Sequence, residues 1–196
     1  SQLVFTGQPS NAVAGNTIAP PVQVTIQDAF GNTVTSATTS ITVAIGTNPA
    51  SGTLSGTKTI SAVAGVAAFS TLSINAAGVG YTLTANGGGL PQATSAAFDI
   101  QAGGGNKLAF IAQPSNTTVG AAISPAIQVA IQDGLGNTIT TATDSIRLSL
   151  FPAGGLGGTV GARAVAGVAT FSNITVANAG TGYTLTAFAP VAVPAL

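Results

Sequence analysis

The sequence contains no cysteine, methionine, tryptophan or histidine, and it carries very little charge. Without cysteine the chain has no disulfide framework, no thiolate metal site and no cysteine nucleophile. Without histidine a Ser-His-Asp triad cannot be assembled. Charged residues make up 4% of the 196 residues, whereas ordinary soluble domains carry about 25%. These absences remove most of the side chains on which catalysis depends.

The few charged residues are balanced and scattered. Four Lys and Arg residues accompany four acids, all of them Asp: Asp28, Asp99, Asp133 and Asp144. A surface of this kind cannot neutralise many phosphates, so we expect no nucleic-acid binding. Acid–base catalysis by carboxylates needs two acids close together, and these lie singly along the chain. We therefore predict no enzyme activity, no cofactor and no metal site.

Long apolar runs are also missing, although 45% of the residues are hydrophobic. Gly, Thr, Ser, Asn or Gln interrupts every stretch before it reaches the 18 or so residues of a transmembrane helix. The sequence opens with Ser1-Gln2 followed directly by LVF, with no signal-peptide pattern, as expected of a mature chain or a fragment. We predict no membrane insertion.

An internal repeat organises the chain. The segment LVFTGQPSN near the start returns as LAFIAQPSN, and residues 3–46 and 108–151 are identical at 22 of 44 positions, at an offset of 108 − 3 = 105. Residues 62–85 and 164–187 are identical at 16 of 24 positions, at an offset of 164 − 62 = 102. Self-similarity of this extent indicates duplication and predicts two domains placed end to end.

The boundaries follow from the repeat. We predict a first domain over residues 1–102, a glycine-rich linker over residues 103–107, and a second domain over residues 108–196. The linker sequence GGGNK is short and flexible, so it joins the domains without separating them far.

Alternation of apolar and polar residues predicts β-strands throughout. In VQVTIQD, ITVAI and YTLTA every second residue is apolar, as in strands with one buried face. In the first domain we predict strands at about residues 3–6, 22–27, 33–36, 41–46, 58–61, 66–74, 80–85 and 95–100. Short strands separated by turns over about 100 residues predict an all-β fold of two tandem antiparallel β-sandwiches.

Several motifs recur in the same order in both repeats: QPSN, IQVAIQD, GNTIT, AVAGVATFS and GTGYTLTA in the second. In this order they resemble the bacterial immunoglobulin-like, invasin-type repeats of large surface proteins, and the resemblance covers nearly the whole chain. It implies a bacterial extracellular or cell-surface location, in a stalk, an adhesin shaft or a filament subunit. It also implies that no catalytic apparatus is present.

The motif QD-x2-GN follows a strand in each repeat. A calcium site here would use the Asp and Asn oxygens, but calcium takes six to eight oxygen ligands and usually several carboxylates. Since only one carboxylate is present in each motif, we interpret both as Asx-type turns whose side chains cap backbone N–H groups. The residues concerned are Asp28, Gly31, Asn32, Asp133, Gly136 and Asn137.

The two copies of GYTLTA continue differently. The first is followed by the strand-like SAAFDI, Ser95–Ile100, whereas the offset of 102 would place its counterpart at residues 197–202, after the given sequence stops. Three explanations remain open: the protein continues, residues 188–196 form a poor edge strand despite two prolines, or a neighbour donates the strand.

Strand donation makes specific residues into a candidate site. The acceptor edge would be Tyr183, Thr184, Leu185, Thr186 and Ala187. The candidate donor segment is Leu3, Val4 and Phe5, although Leu3–Phe5 already matches the first strand of the second domain, Leu108–Phe110.

Low charge leaves sheet edges without their usual protection and weakens repulsion between copies. We therefore predict a structural subunit of a bacterial extracellular filament or surface shaft, assembling head to tail with other copies of itself. The alternative is an adhesin module that binds a glycan or another surface ligand through its turns. The best candidates for such contacts are Phe30 and the Phe151-Pro152 loop.

Overall fold

The computed structural model describes residues 1–105 and 107–189. The chain divides into two compact units, unit 1 at Ser1–Ala102 and unit 2 at Gly103–Leu196. All the regular secondary structure in the described residues is β-strand, so the predicted all-β fold is confirmed. Within that part of the chain no helix has the length and apolar character needed to span a bilayer.

Unit 1 contains twelve strands, several of them very short. They are β1 Gln2–Gly7, β2 Ala12–Val13, β3 Val22–Gln27, β4 Ser40–Ile45, β5 Leu54–Ser55, β6 Thr59–Ser61, β7 Val66–Phe69, β8 Ser73–Ile74, β9 Gly78–Tyr81, β10 Leu83–Asn86, β11 Ala93–Thr94 and β12 Phe98–Gln101. They form sheets in the orders β1-β3-β7, β11-β10-β4-β6 and β2-β12-β9, with the pair β5-β8 beside them.

The core of unit 1 is built from the apolar positions of alternating strands. Val22 and Val24 of β3 and Ile41 of β4 are fully buried, and so is Leu83 of β10. These residues come from different sheets and belong to one buried cluster, so the sheets enclose a common core. Pairing is antiparallel throughout except between β12 and β2, which run parallel.

Unit 2 repeats this arrangement with eight strands among its described residues. They are β13 Lys107–Ala112, β14 Ile127–Gln132, β15 Ser145–Phe151, β16 Leu156–Gly157, β17 Gly161–Arg163, β18 Val168–Phe171, β19 Thr175–Val176 and β20 Thr184–Phe188. The sheet orders are β13-β14-β18 and β17-β15-β20, with the pair β16-β19. Registers are conserved: Leu83 pairs with Ile45 in unit 1, and Leu185 pairs with Leu150 in unit 2.

The prediction of a strand at residues 33–36 is wrong. After the turn that follows β3, the chain makes a single bridge between Gln27 and Thr33, and the Val34 N–H donates to the Ile26 carbonyl. The chain then turns at once, because the Ala37 N–H donates to the Val34 carbonyl at 2.9 Å. No ladder can develop over so short a distance.

The single strand predicted at residues 66–74 is two strands. β7 pairs with β3, whereas β8 pairs with β5, so the chain passes from one sheet to another between them. Leu72 lies at this crossing, fully buried, and its carbonyl accepts a hydrogen bond from the Ile18 N–H. Apolar alternation continues through the crossing and therefore conceals it.

Candidate strand-binding groove

Residues 93–101, called here the closing segment, complete unit 1. Its first strand, β11, pairs with the outer edge of β10. Its second strand, β12, lies between β2 and β9, parallel to the first and antiparallel to the second. β12 thus joins two segments that have no strand pairing with each other.

Two side-chain amides hold the backbone of the closing segment. The Ala96 N–H donates to Oε1 of Gln8 at 2.9 Å, and the Asp99 N–H donates to Oδ1 of Asn11 at 2.7 Å. Gln8 and Asn11 are the first and last residues of the repeated motif QPSN. The QPSN motif therefore supplies the two side-chain acceptors that hold the backbone of the closing segment.

Ser95 fixes the entry of the closing segment. Its N–H donates to the Leu83 carbonyl at 2.8 Å, and its Oγ accepts from the Leu83 N–H at 2.9 Å. The Ser95 hydroxyl thus accepts a backbone hydrogen bond at the edge of β10 that a neighbouring strand would otherwise accept. This explains why β12 begins at Phe98 rather than at the predicted residue 95.

Apolar side chains then close the core. Phe98 and Ile100 are each 3% exposed, and the Phe98 ring lies 6.1 Å from that of Tyr81, centroid to centroid. Tyr81 is fully buried, its hydroxyl donates to the Ala76 carbonyl, and burial raises the pKa of the Tyr81 phenol. Burying two large side chains contributes about 1.5–3 kcal/mol each.

Unit 2 has a groove of about 660 Å³ at the corresponding place. Residues 114–119 and residues 178–183 line the groove, and Leu185 also contributes to its lining. By the offsets of 105 and 102, these walls contain the counterparts of β2 and β9, the two strands that flank β12 in unit 1. In the described part of unit 2 neither wall forms a strand.

Tyr183 is positioned in the groove as Tyr81 is positioned in unit 1. Its hydroxyl donates to the Asn178 carbonyl at 3.3 Å, the counterpart of the bond made by Tyr81. Glycines at 154 and 180 leave room for the ring, because a β-carbon on either would lie within 2.7 Å of its hydroxyl. The ring is nevertheless only partly buried, and it lines the groove.

The rest of the predicted acceptor edge belongs to β20. Thr184, Leu185, Thr186 and Ala187 lie in β20, which pairs with β15 along one side. Within residues 1–105 and 107–189, no strand lies along the other side, where β10 of unit 1 has β11. One of the three explanations left open, a poor edge strand at residues 188–196, lies largely outside the described residues.

The candidate donor segment is part of its own unit. Leu3, Val4 and Phe5 lie in β1 and pair with Ile26, Thr25 and Val24 of β3. Leu3 and Phe5 are 5% and 6% exposed, so they contribute to the core of unit 1. Donating this segment to another molecule would open that core.

The Asp28 turn is held by its own side chain. Oδ1 of Asp28 accepts from the N–H groups of Phe30 and Asn32, both at 2.9 Å, and Oδ2 accepts from the Asn32 side-chain amide. The bond from the Asn32 side chain is the largest of the influences that lower the pKa of Asp28. Gly31 has a φ of 86°, a conformation that favours glycine.

The Asp133 turn repeats this geometry and adds one bond. Oδ2 of Asp133 also accepts from the Gly103 N–H at 2.9 Å, so the first residue of the predicted linker is attached to this turn. Burial raises the pKa of Asp133, but the bonds from Asn137, Gly103 and Leu135 outweigh it and hold the pKa at about 2. Gly136 again has a positive φ, 93°.

The second wall of the groove, residues 114–119, was not predicted. Asn116 in this wall and Gln113 just before it are retained from Asn11 and Gln8, so the repeat itself held a signal. It could not be interpreted from sequence, because the bonds that give these amides their role are made with residues 88 positions away in unit 1.

Comparison with known proteins gives no matching family model and no matching curated protein. Among solved structures, the chain is similar to the Escherichia coli adhesin FdeC, with 19% identity, a TM-score of 0.44, and coverage of 96% of this chain and 59% of that one. It is also similar to invasin, a bacterial integrin-binding protein, with 16% identity, a TM-score of 0.39, and coverage of 96% and 36%.

A β-glycosidase from Bacteroides vulgatus is similar to a comparable degree, with 15% identity, a TM-score of 0.39, and coverage of 96% of this chain and 23% of that one. The chain therefore spans less than two thirds of each of these structures. Function is therefore argued from the groove and the surface.

Proposed function

We propose that the chain is a structural segment of a bacterial extracellular filament or surface shaft, in which copies join head to tail. In this proposal a strand from a neighbour enters the groove of unit 2 and extends its sheets. The observation that supports it is the groove of unit 2 beside the edge strand β20. Unpaired N–H and C=O groups at such an edge recruit other strands.

The composition supports the same role. A surface with four basic and four acidic residues offers little repulsion between copies. The function we propose is mechanical: strand ladders and buried apolar rows carry load along the array, and no chemical step is required of any residue.

Assembly can be tested by light scattering coupled to size-exclusion chromatography at neutral pH, with electron microscopy at the highest concentrations. We expect oligomers whose mass grows with concentration. Thr117→Trp, which places a large ring in the groove, should abolish this growth, whereas Thr35→Trp, at an exposed site of unit 1, should not. A chain that remains a monomer at all concentrations would contradict the proposal.

Exposed apolar turns favour a second function, adhesion. Phe30 is 90% exposed at the tip of the Asp28 turn, and Leu135 is 57% exposed at the equivalent position of unit 2. Aromatic side chains presented in this way suit contact with sugars or with a protein surface. A glycan array probed with the chain and with Phe30→Ala separates the two functions, because a purely structural shaft should bind nothing in either form.

A further inference from the structure

We propose that one exposed sheet face of unit 2 binds an acidic polysaccharide, whose sugars carry carboxylate or sulfate groups. The face is the outer side of the sheet β17-β15-β20, and it is called here the arginine face. Its side chains are those of Arg147, Ser149, Phe151, Arg163, Thr186 and Phe188. The groove is lined by other residues, and binding at the arginine face requires no assembly, so the inference goes beyond the proposed shaft.

Strand register places these side chains on one side of the sheet. Arg147 pairs with Gly161 of β17 and with Phe188 of β20, and Ser149 pairs with Thr186. Paired residues of antiparallel strands face the same side, and so do residues two apart on one strand. Exposed and buried residues alternate along β15 from residue 145 to residue 149, so this side of the sheet is directed to solvent.

The two arginines have N–H groups to offer an anion. Nε of Arg163 donates to the Thr143 carbonyl at 3.1 Å and a second nitrogen donates to Thr143 Oγ1 at 3.5 Å, which leaves the remaining N–H groups for a ligand. Within residues 1–105 and 107–189, Arg147 makes no hydrogen bond and neither guanidinium forms an ion pair. A guanidinium can donate two parallel hydrogen bonds to one oxyanion, so two neighbouring arginines favour a ligand with repeated negative charges.

Unit 1 has the same sheet without these charges. Its register places Thr42 and Ser61 where unit 2 has Arg147 and Arg163. The whole chain contains four Lys and Arg residues, so half of its basic residues lie on this one face. The two units therefore differ at the arginine face by a concentration of positive charge that the fold itself does not require.

A second difference makes room for one of the arginines. In unit 1 the hydroxyls of Thr42 and Thr59, which pair across the strands, are hydrogen-bonded at 2.8 Å. Arg147 and Gly161 replace both members of this pair in unit 2. A β-carbon on Gly161 would lie 3.5 Å from Nε of Arg147, so the arginine side chain lies across β17, the strand that carries Arg163. The two changes together bring the cations onto neighbouring positions.

Aromatic and hydroxyl side chains complete the arginine face. Phe188 is 43% exposed beside Arg147, and Phe151 is 73% exposed farther along β15. Exposed rings pack on the apolar faces of sugars, and the hydroxyls of Ser149 and Thr186 between them can donate and accept hydrogen bonds. A nucleic acid would need many phosphates neutralised, which two arginines cannot do. The combination favours a sugar chain with spaced acidic groups.

Binding can be measured by fluorescence anisotropy with the full chain and labelled hexasaccharides. Hexagalacturonate carries carboxylates, a heparin hexasaccharide adds sulfates, and the methyl ester of hexagalacturonate is the matched neutral control. We expect at least one of the two acidic sugars to bind saturably at one site per chain, and the methyl ester to bind at least about 10-fold more weakly than its parent acid. A hexaglutamate peptide, which has the charge without the sugar, should also bind at least about 10-fold more weakly than the better acidic sugar.

Variants that introduce the residues of unit 1 locate the site. Arg147→Thr and Arg163→Ser should each weaken binding of the acidic sugar by about 10-fold, because each removes a charged donor. Lys58→Ser is the matched control, since it removes one positive charge from an exposed position of unit 1, and it should change the affinity by less than about 2-fold. Phe30→Ala should also leave the affinity unchanged. The methyl ester requires no change in the protein, so it tests the proposal even if a variant chain fails to fold.

Three results would overturn the inference: no binding of either acidic sugar, equal binding of hexagalacturonate and its methyl ester, or an equal loss of affinity in Lys58→Ser and Arg147→Thr. Equal binding of hexaglutamate would also overturn it, by making the ligand an acidic polypeptide. Loss of binding in Phe30→Ala would place the sugar at the Asp28 turn instead. Sugar binding by a chain that never assembles would uphold the arginine face and refute the shaft, whereas assembly without sugar binding would refute the arginine face alone.

Discussion

Tyr81 and Tyr183 occupy the same position in two copies of the sequence GYTLTA, and their hydroxyls make the same bond to the backbone five residues earlier. Tyr81 is nevertheless fully buried beneath Phe98, whereas Tyr183 lines an open groove. The repeated sequence is therefore enough to place the ring and its hydroxyl. Burial of the ring depends on a second segment, the one that crosses over it.

The same contrast extends along the walls. Residues 12–13 and 78–81 are strands in unit 1, where β12 pairs with both. Their counterparts at residues 117–118 and 180–183 have no strand conformation. A segment at the edge of the unit becomes a strand when another strand pairs with it, because no other strand is available for its backbone hydrogen bonds.

Adding a closing segment to unit 2 should produce the largest change in the difference in stability between the two units. Replacing residues 190–196 with residues 88–101 would supply a closing segment in the frame set by the offset of 102. We expect the free energy of unfolding of unit 2 to rise by about 3–6 kcal/mol, since Phe and Ile each gain about 1.5–3 kcal/mol on burial. Urea unfolding followed by circular dichroism, with hydrogen exchange to assign the unit, measures the change.

The control for this chimera carries Ser in place of the grafted Phe and Ile. It should be no more stable than the original chain. Equal stability of the chimera and its control would mean that the walls of unit 2 do not form a core with the segment, and the equivalence of the two units would fail.

Removing the two tyrosines should have unequal effects. Tyr81→Ala should lower the free energy of unfolding of unit 1 by about 3–5 kcal/mol, because it empties a fully packed site. Tyr183→Ala should lower that of unit 2 by only about 1–2 kcal/mol, since its ring is partly exposed already. Denaturant unfolding of both variants measures the difference, and equal losses would show that Tyr183 is as well packed as Tyr81.

Acid should have the smallest effect and should act mainly on unit 2. The folded-state pKa of Asp133 is about 2, below its ordinary value of 3.8, so its ionised form stabilises the folded unit. This contribution to the free energy of unfolding is fully present above the ordinary pKa and is lost as the pH falls toward 2. The loss amounts to about 2 kcal/mol. Urea midpoints between pH 5 and pH 2 measure it.

Asp133→Asn is the control for the acid effect, because it removes the titrating group. Its unfolding midpoint should vary less between pH 5 and pH 2 than that of the original chain. If Asp133→Asn leaves the pH dependence of the unfolding midpoint unchanged, the acid sensitivity comes from other carboxylates. The hydrogen bond from the Gly103 N–H to Asp133 would then not explain it.

Much of the fold could be predicted from alternation alone. β3 and β4 are long enough for every second residue to be seen facing the core, and both were predicted to within one residue. β2, β5 and β11 have two residues each, too few to show a period. Residues 33–36 show why alternation can mislead, since an apolar residue in a turn can pack on the core without joining a ladder.

The groove could be predicted only in part. The edge at Tyr183–Ala187 followed from comparing the two ends of GYTLTA, because the difference lies within the sequence itself. The wall at residues 114–119 did not follow, since its role depends on long-range bonds made by the side chains of Gln8 and Asn11. The sequence shows that Gln8 and Asn11 are repeated in unit 2, but it does not show which backbone groups their side chains bind.

The placement of the two tyrosines also gives the molecule an optical reporter. With no tryptophan in the chain, its intrinsic near-ultraviolet emission comes from Tyr81 and Tyr183. The Tyr81 ring is sealed in unit 1 and serves as a constant reference. The Tyr183 ring lines the groove, so quenching of its emission by acrylamide reads the occupancy of that site without any added dye.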